Sequence, residues 1–381
     1  MKLSLRPISR PLLGTLISLA LVSTSTAALA APDYGVKGPE AFTKSTFPNG
    51  TGGSGGGDLF VPNGAGPYPV IVANHGFTAV PSNQHVWAEH FASYGFVVIV
   101  PNLGLFPDQA KNSAAIQALP AAIKATVAKA DVTRIGYEGH SAGALGSVLA
   151  ASKSKPMALV LFDPVDDMGK QGAATFGNLC SPTLTLYATV VSSCNSSGGW
   201  KKDIGTRTAA PIWTADVVGA THCDGERGPR GVPIACDGPC GGAASPDRQV
   251  VHARHATAFF LANLKGDTEA AGTLTQASLA AATGLTDVQI KAGTPCAGAV
   301  IPGGDAGTPG KDGGSVTPPP SGATPPAGTG TPSPSPTGGA ADPNAESTES
   351  GCSASPKAAG TTGALLAGLV AAALFVRRRR S

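Results

Sequence analysis

Short apolar runs alternate along the chain with stretches of helical periodicity, from about residue 68 to residue 264. The apolar runs are predicted strands, at residues 68–73, 96–100, 133–138, 157–162, 183–191 and 212–218, with 212–218 as the last strand. Predicted helices lie at residues 84–94, 108–130 (bent at Pro120), 141–152 and 245–264. Residues 32–57 have few apolar positions and are predicted to be extended or to form an edge strand. Because continuous apolar strands that alternate with helices are typical of covered parallel sheets, the sequence predicts an α/β fold: a mostly parallel central sheet with helices on both faces.

The two ends of the chain differ in composition from this central part. Residues 1–30 have a basic start, an apolar middle and a small-residue end, which predicts a secretory signal peptide; a first membrane span is less favoured because the apolar run is short. Residues 32–296 are predicted to form the catalytic domain. Residues 297–357 are rich in Gly, Pro, Ser and Thr and are predicted to be a linker. Residues 358–381 combine an uncharged stretch with an arginine cluster, which predicts a transmembrane anchor.

Gly351 and Cys352, followed by the apolar stretch and the arginine cluster, resemble the C-terminal sorting tag of myxobacterial surface proteins. The resemblance implies display at the cell surface, with processing or lipid attachment at Cys352. An ordinary membrane anchor with an incidental cysteine is the alternative. Because arginine clusters favour the cytoplasmic side, both interpretations place residues 32–296 outside the cytoplasm.

Charge and cysteine content narrow the classes of function. The formal net charge is +3, but residues 32–296 contain 18 Lys and Arg against 19 Asp and Glu, a net of −1. Without a basic stripe, a nucleic-acid partner has no electrostatic basis. An even set of cysteines in this region of an exported chain predicts disulfides, whose pairing the sequence leaves open: Cys180, Cys194, Cys223, Cys236, Cys240 and Cys296. Cys236 and Cys240 have too few neighbouring ligands for a zinc site, so no metal and no cofactor is predicted.

The sequence Gly139-His-Ser-Ala-Gly143 matches the pattern G-x-S-x-G and lies between a predicted strand and a predicted helix. In this context the small residues permit a sharp turn that raises the serine above the sheet. Ser141 is therefore the predicted nucleophile. The backbone N–H groups of Phe77, after the strand at 68–73, and of Ala142 are the predicted oxyanion donors. His75, just before Phe77, is predicted to be structural.

A general base and an acid are expected after Ser141, with the histidine last in chain order. His222 follows the strand at 212–218 and is the predicted base. His252 and His255 lie on the final helix and are predicted to face solvent or the core.

The acid is less constrained by the sequence. Asp163 directly follows the strand at 157–162 and is the first candidate, with Asp166 as the second. In many enzymes with a serine nucleophile at such a turn, the acid follows the next strand, which here is predicted at residues 183–191. That strand ends without a carboxylate. The acid is therefore predicted to come from the earlier strand.

Four segments resemble the chlorophyllase branch of the α/β hydrolases and are similar to the related polyester-hydrolase and cutinase-like group: residues 68–77, 91–102, 139–143 and 163–165. The likeness spans about residues 68–222. It implies an α/β-hydrolase fold and ester hydrolysis, and in chlorophyllases the acid is the Asp of an Asp-Pro-Val motif, which supports Asp163. In the polyester hydrolases the acid lies one strand later, where this chain lacks it. That group also has a disulfide that ties the base loop to a preceding strand end, which implies a pairing of Cys194 with Cys223.

These observations predict an exported serine esterase that hydrolyses carboxylic esters through an acyl-enzyme on Ser141. The expected substrate is a small-molecule, lipid or polymer ester, and the catalytic domain is expected to be monomeric. The alternatives are an amide or thioester hydrolase on the same triad, and a surface-displayed binding protein that keeps the fold without the activity.

Overall fold

The computed structural model describes residues 32–48, 56–104, 108–166, 170–196, 200–201, 204, 209–226, 236 and 240–295. The predicted signal peptide, linker and C-terminal anchor lie outside these residues, as do Cys296 and Cys352. Within the described ranges, no helix combines the length and the apolar character needed to cross a membrane.

The described residues form one nine-stranded sheet with the order β1-β2-β4-β3-β5-β6-β7-β8-β9. The strands are β1 (Phe42–Phe47), β2 (Gly57–Pro62), β3 (Tyr68–Asn74), β4 (Val97–Pro101), β5 (Ala130–His140), β6 (Ala158–Phe162), β7 (Thr183–Ala188), β8 (Ile212–Val217) and β9 (Leu285–Lys291). Strands β3 to β8 run parallel to one another. The edge strands are β1 and β9, and the pairs β1–β2, β2–β4 and β8–β9 are antiparallel. The predicted α/β-hydrolase fold, with its mostly parallel sheet, is confirmed.

Helices cover both faces of this sheet. They are α1 (His85–Ala92), α2 (Gln109–Thr126), α3 (Ala142–Ser154), α4 (Gln171–Thr175), α5 (Pro246–Phe260), α6 (Thr268–Gly272) and α7 (Gln276–Ala280). Neighbouring residues of a strand point to opposite faces, so β3 contributes to two separate apolar clusters. Ile71 belongs to the cluster that includes α1 and α5, whereas Val70 and Val72 belong to the cluster that includes α2 and α3.

Two strands were not expected from the hydrophobic pattern. The strand at 212–218 was predicted to be the last, but β9 follows it and pairs antiparallel with β8. Most residues of β9 are exposed or half-buried, so it lacks the continuous apolar run of a covered strand. β2 begins at Gly57, at the end of a glycine-rich stretch, and was also missed. The prediction of an edge strand within residues 32–57 is confirmed by β1.

The parallel arrangement determines where polar side chains can meet. The carboxyl ends of four parallel strands lie along the same side of the sheet: β3, β5, β6 and β8. The loops that follow them carry residues 75–77, Ser141, Asp163 and His222. The fold therefore brings residues from four separate segments of the sequence to one edge.

Candidate active site

The backbone bends sharply at Ser141, where neighbouring backbone segments lie very close together. Ser141 lies between the end of β5 and the start of α3, with φ 54° and ψ −122°. A Cβ atom on Gly139 would lie 2.6 Å from the backbone of Gly143, and one on Gly143 would overlap the backbone oxygens of Asn74 and His75. Glycine at both positions therefore permits the close approach that the turn needs. A non-glycine residue at such dihedral angles costs on the order of 1–3 kcal/mol, which the surrounding packing must offset.

Three side chains form a continuous hydrogen-bonded chain at this turn. His222 Nε2 lies 2.9 Å from Ser141 Oγ, and His222 Nδ1 lies 2.6 Å from Asp163 Oδ2. All three residues are buried. Burial lowers the pKa of His222, the hydrogen bond with Asp163 raises it, and the net direction is downward. The imidazole therefore favours its neutral form, in which Nδ1–H donates to Asp163 and Nε2 accepts from the serine hydroxyl.

Asp163 is held by further donors from the end of β7 and from the loop after it. Its Oδ1 accepts from the backbone N–H of Ala188 at 3.1 Å, and its Oδ2 accepts from Asn195 Nδ2 at 2.9 Å. Asn195 Nδ2 also donates to the backbone oxygen of Val190. These contacts fix the carboxylate in the orientation that meets His222. Asn195 was not among the residues predicted from the sequence, because its contact with Asp163 depends on how the loop after β7 folds.

The loop that carries His222 is anchored by a buried carboxylate. Asp224 is fully buried, and its Oδ2 accepts from the backbone N–H of Thr221 at 2.7 Å and from Arg248 Nε at 2.6 Å. Its Oδ1 accepts from the backbone N–H of Ser245, immediately before α5. Asp224 therefore ties the short helical turn His222–Gly225 to the start of α5.

The two predicted oxyanion donors belong to backbone segments that lie against Ser141. Ala142 is the first residue of α3, where backbone N–H groups have no partner within the helix. Phe77 follows Gly76, and a Cβ atom on Gly76 would lie 3.3 Å from the Ser141 Cβ. Their role as donors to an oxyanion remains a prediction.

The other predicted residues have separate roles. Asp166 accepts from the backbone N–H of Ala173 at 3.0 Å, so Asp163, rather than Asp166, meets His222. His75 is buried, and its Nε2 accepts from the backbone N–H of Leu103, in agreement with the predicted structural role. His252 and His255 are both buried within the core.

The disulfide pairing implied by the polyester-hydrolase resemblance is wrong. Cys194 pairs with Cys240, and Cys223 pairs with Cys236. Residues 236 and 240 lie in one segment, which is thus bonded both to the loop that carries Asn195 and to the loop that carries His222. The Sγ atoms of Cys223, Cys236 and Cys240 lie within 4.8 Å of one another, but the disulfides leave no thiolate among them for a metal ion.

A sheet of this topology, with a serine at the turn between β5 and α3, defines an α/β-hydrolase fold. Residues 58–181 match the family model Chlorophyllase, a family of ester hydrolases within the α/β-hydrolase superfamily. The matched segment includes Ser141 and Asp163 and ends before His222. No curated protein matches the chain.

Proposed function

We propose that the chain is a serine hydrolase that cleaves carboxylic esters through an acyl-enzyme on Ser141. The observation that carries this proposal is the contiguous hydrogen-bonded chain from Ser141 through His222 to Asp163, at distances of 2.9 and 2.6 Å. The match of residues 58–181 to a family of ester hydrolases supports the same class of reaction.

In the first step His222 Nε2 takes the proton of Ser141 as Oγ attacks the ester carbonyl carbon. The negative charge that develops on the carbonyl oxygen is stabilised by the backbone N–H groups of Phe77 and Ala142. His222 then gives its proton to the departing alcohol, which leaves the acyl group on Ser141. Water repeats the sequence on the acyl-enzyme, and in both steps Asp163 orients His222 and stabilises the imidazolium.

Replacement of Ser141 with alanine tests the proposal with p-nitrophenyl esters as substrates. We expect hydrolysis to fall to the background rate and labelling by a fluorophosphonate probe to be lost, while the circular dichroism spectrum is unchanged. Ser152→Ala is the matched control, because Ser152 lies on the same helix and, among the described residues, its hydroxyl bonds only to the backbone oxygen of Leu149. Hydrolysis by the Ser141→Ala protein at the wild-type rate would refute the assignment of the nucleophile. If the wild-type protein cleaved amides or thioesters faster than matched esters, the proposed substrate would change from esters to that class.

We further propose that the protein acts outside the cytoplasm, as a monomeric catalytic domain anchored through its C-terminal segment. The two disulfides fit a chain that folds in an oxidising compartment. Cell fractionation with an antibody against residues 32–296 tests the proposal. Recovery of the protein in the cytoplasm with free thiols would contradict it.

A further inference from the structure

A second pair of ionisable side chains lies directly behind the base. His140, the last residue of β5, is 1% exposed, and its Nδ1 lies 3.1 Å from Glu226 Oε1. Its Nε2 lies 2.7 Å from the backbone oxygen of His222. The two imidazole rings are 4.6 Å apart between centroids. One side chain thus contacts both a half-buried carboxyl group and the backbone of the residue proposed as the base.

The acceptors around His140 define the charge of this pair. A backbone carbonyl only accepts, so Nε2 of His140 must carry a proton to bond with the oxygen of His222. An ionised Glu226 also only accepts, so the ring bonds to both partners as an imidazolium. Burial lowers the pKa of His140, but the hydrogen bond and charge of Glu226, together with the charge of Asp163 and the backbone bond to His222, outweigh it, and the net pKa is raised. Burial raises the pKa of Glu226, but the bond and charge of His140, together with the charges of His222 and His75, outweigh it, and the net pKa is lowered.

The backbone around the pair leaves space for it. A Cβ atom on Gly225 would overlap the His140 ring, and one on Gly76 would lie 2.9 Å from Glu226 Oε1 and 3.2 Å from His140 Nδ1. Glycine at both positions therefore lets two backbone segments pack closely against the pair, whose side chains are 1% and 11% exposed. In such surroundings a hydrogen-bonded charge pair acts more strongly than in solvent.

We propose that His140 and Glu226 are an ion-paired positioning couple for the base: the imidazolium holds the backbone of His222 in place and its charge keeps the His222 ring neutral. The inference rests on the proposed function of His222 as the general base. Two separate effects follow. The hydrogen bond to the His222 backbone fixes its position. The positive charge of His140 lowers the pKa of His222, and the Glu226 carboxylate, which raises that pKa by a smaller amount, offsets only part of the effect.

Other ionisable groups face the couple from the surrounding elements. Asp163 approaches from the loop after β6, His75 from the loop after β3 and His252 from α5. Burial lowers the pKa of both His75 and His252 and so favours their neutral forms. Asp163 is common to wild type and to the variants below, so it does not alter the comparison between them.

The variant Glu226→Gln separates charge from position. The amide of Gln can donate to Nδ1 of a neutral His140, whose Nε2–H still bonds to the His222 backbone, so the contacts remain while the charges are lost. We expect the acid limb of the pH profile of kcat/KM to move upward by up to roughly half a pH unit, because the lowering of the His222 pKa by His140 exceeds its raising by Glu226. We expect kcat on the plateau to stay within about threefold of wild type. His140→Gln, which leaves Glu226 without its partner, should lower plateau kcat by about tenfold or more. Glu269→Gln, at an exposed position on α6, is the control and should match wild type.

A readout that needs no turnover distinguishes failure of this inference from failure of the proposed function. Imidazole ¹⁵N NMR titrations, assigned with the His140→Gln protein, should show both nitrogens of His140 protonated at pH 7 in wild type and one in Glu226→Gln. The pKa of His222 should be higher in Glu226→Gln than in wild type. A neutral His140 in wild type, or superimposable His222 titrations, would overturn the inference whether or not any ester is hydrolysed. If the titrations behave as expected and no ester is cleaved, the couple stands and the proposed function fails.

Discussion

A buried carboxyl group in the strand before the proposed nucleophile should make the stability of the protein depend steeply on pH. Glu138 lies on β5, and its register partners Ala73 and Val160 belong to the apolar cluster that includes α1 and α5. The side chain therefore points into that cluster. It is fully buried, and within the described part of the chain neither carboxyl oxygen has a hydrogen-bond partner. Burial raises the pKa of Glu138 well above 4.5.

The sign of the effect follows from proton binding. Above the unfolded pKa the unfolded chain releases a proton that the folded chain keeps, so a rising pH favours unfolding. Stability that is present below pH 4.5 is lost as the pH rises toward the folded pKa. The loss is about 1.4 kcal/mol per pH unit, or about 2.7 kcal/mol over the first two units, as long as the folded carboxyl remains protonated.

Glu138→Gln isolates this contribution, because glutamine has nearly the shape of the protonated acid and does not titrate. The free energies of unfolding, from guanidinium titrations without reductant, should be similar for the two proteins near pH 4.5. At higher pH the variant should become more stable than wild type by about 1.4 kcal/mol per unit. The control Glu269→Gln should follow wild type at every pH. If the free energies of unfolding of Glu138→Gln and wild type changed in parallel with pH, the pKa of Glu138 would not be raised by folding.

Three further predictions concern the groups that hold the site together. Asn195→Ala removes one hydrogen bond to Asp163. Because a bond to a charged group contributes about 1.5 kcal/mol, kcat for ester hydrolysis should fall roughly tenfold. An unchanged kcat would mean that the bond from Ala188 is enough to hold the carboxylate. Asp224→Asn replaces a fully buried carboxylate that accepts from two backbone N–H groups and an arginine. The free energy of unfolding should therefore fall by about 2–3 kcal/mol. An unchanged free energy of unfolding in denaturant titrations would contradict the anchoring role of Asp224. Replacing Cys194 and Cys240 together with serine opens a link across 46 residues and should lower the unfolding free energy by up to about 4 kcal/mol; no change in the denaturation midpoint would contradict this.

The covered strands and their helices were predictable because their signal is local. Strands β3, β4 and β6 are nearly continuous apolar runs, and a short window of sequence is enough to recognise such a run. β2 and β9 were missed because each is defined by pairing with a neighbour distant in sequence, and β9 is largely exposed. The disulfide pairing also depends on residues distant in sequence. The number of cysteines indicated that disulfides form, but the path of the loops determines that Cys194 bonds to Cys240.

At the candidate site, the amino-acid pattern was enough to place Ser141 at a strand-to-helix turn, and chain order pointed to Asp163 and His222 as its expected partners. The contact of Asn195 with the Asp163 carboxylate, and that of His140 with Glu226 behind the base, depend on the folded arrangement of the loops. Local sequence encodes dihedral preference and hydrophobic period, which place a residue at a strand end. A contact between side chains from different loops depends instead on how those loops pack over the sheet edge, and no short window of sequence contains that information.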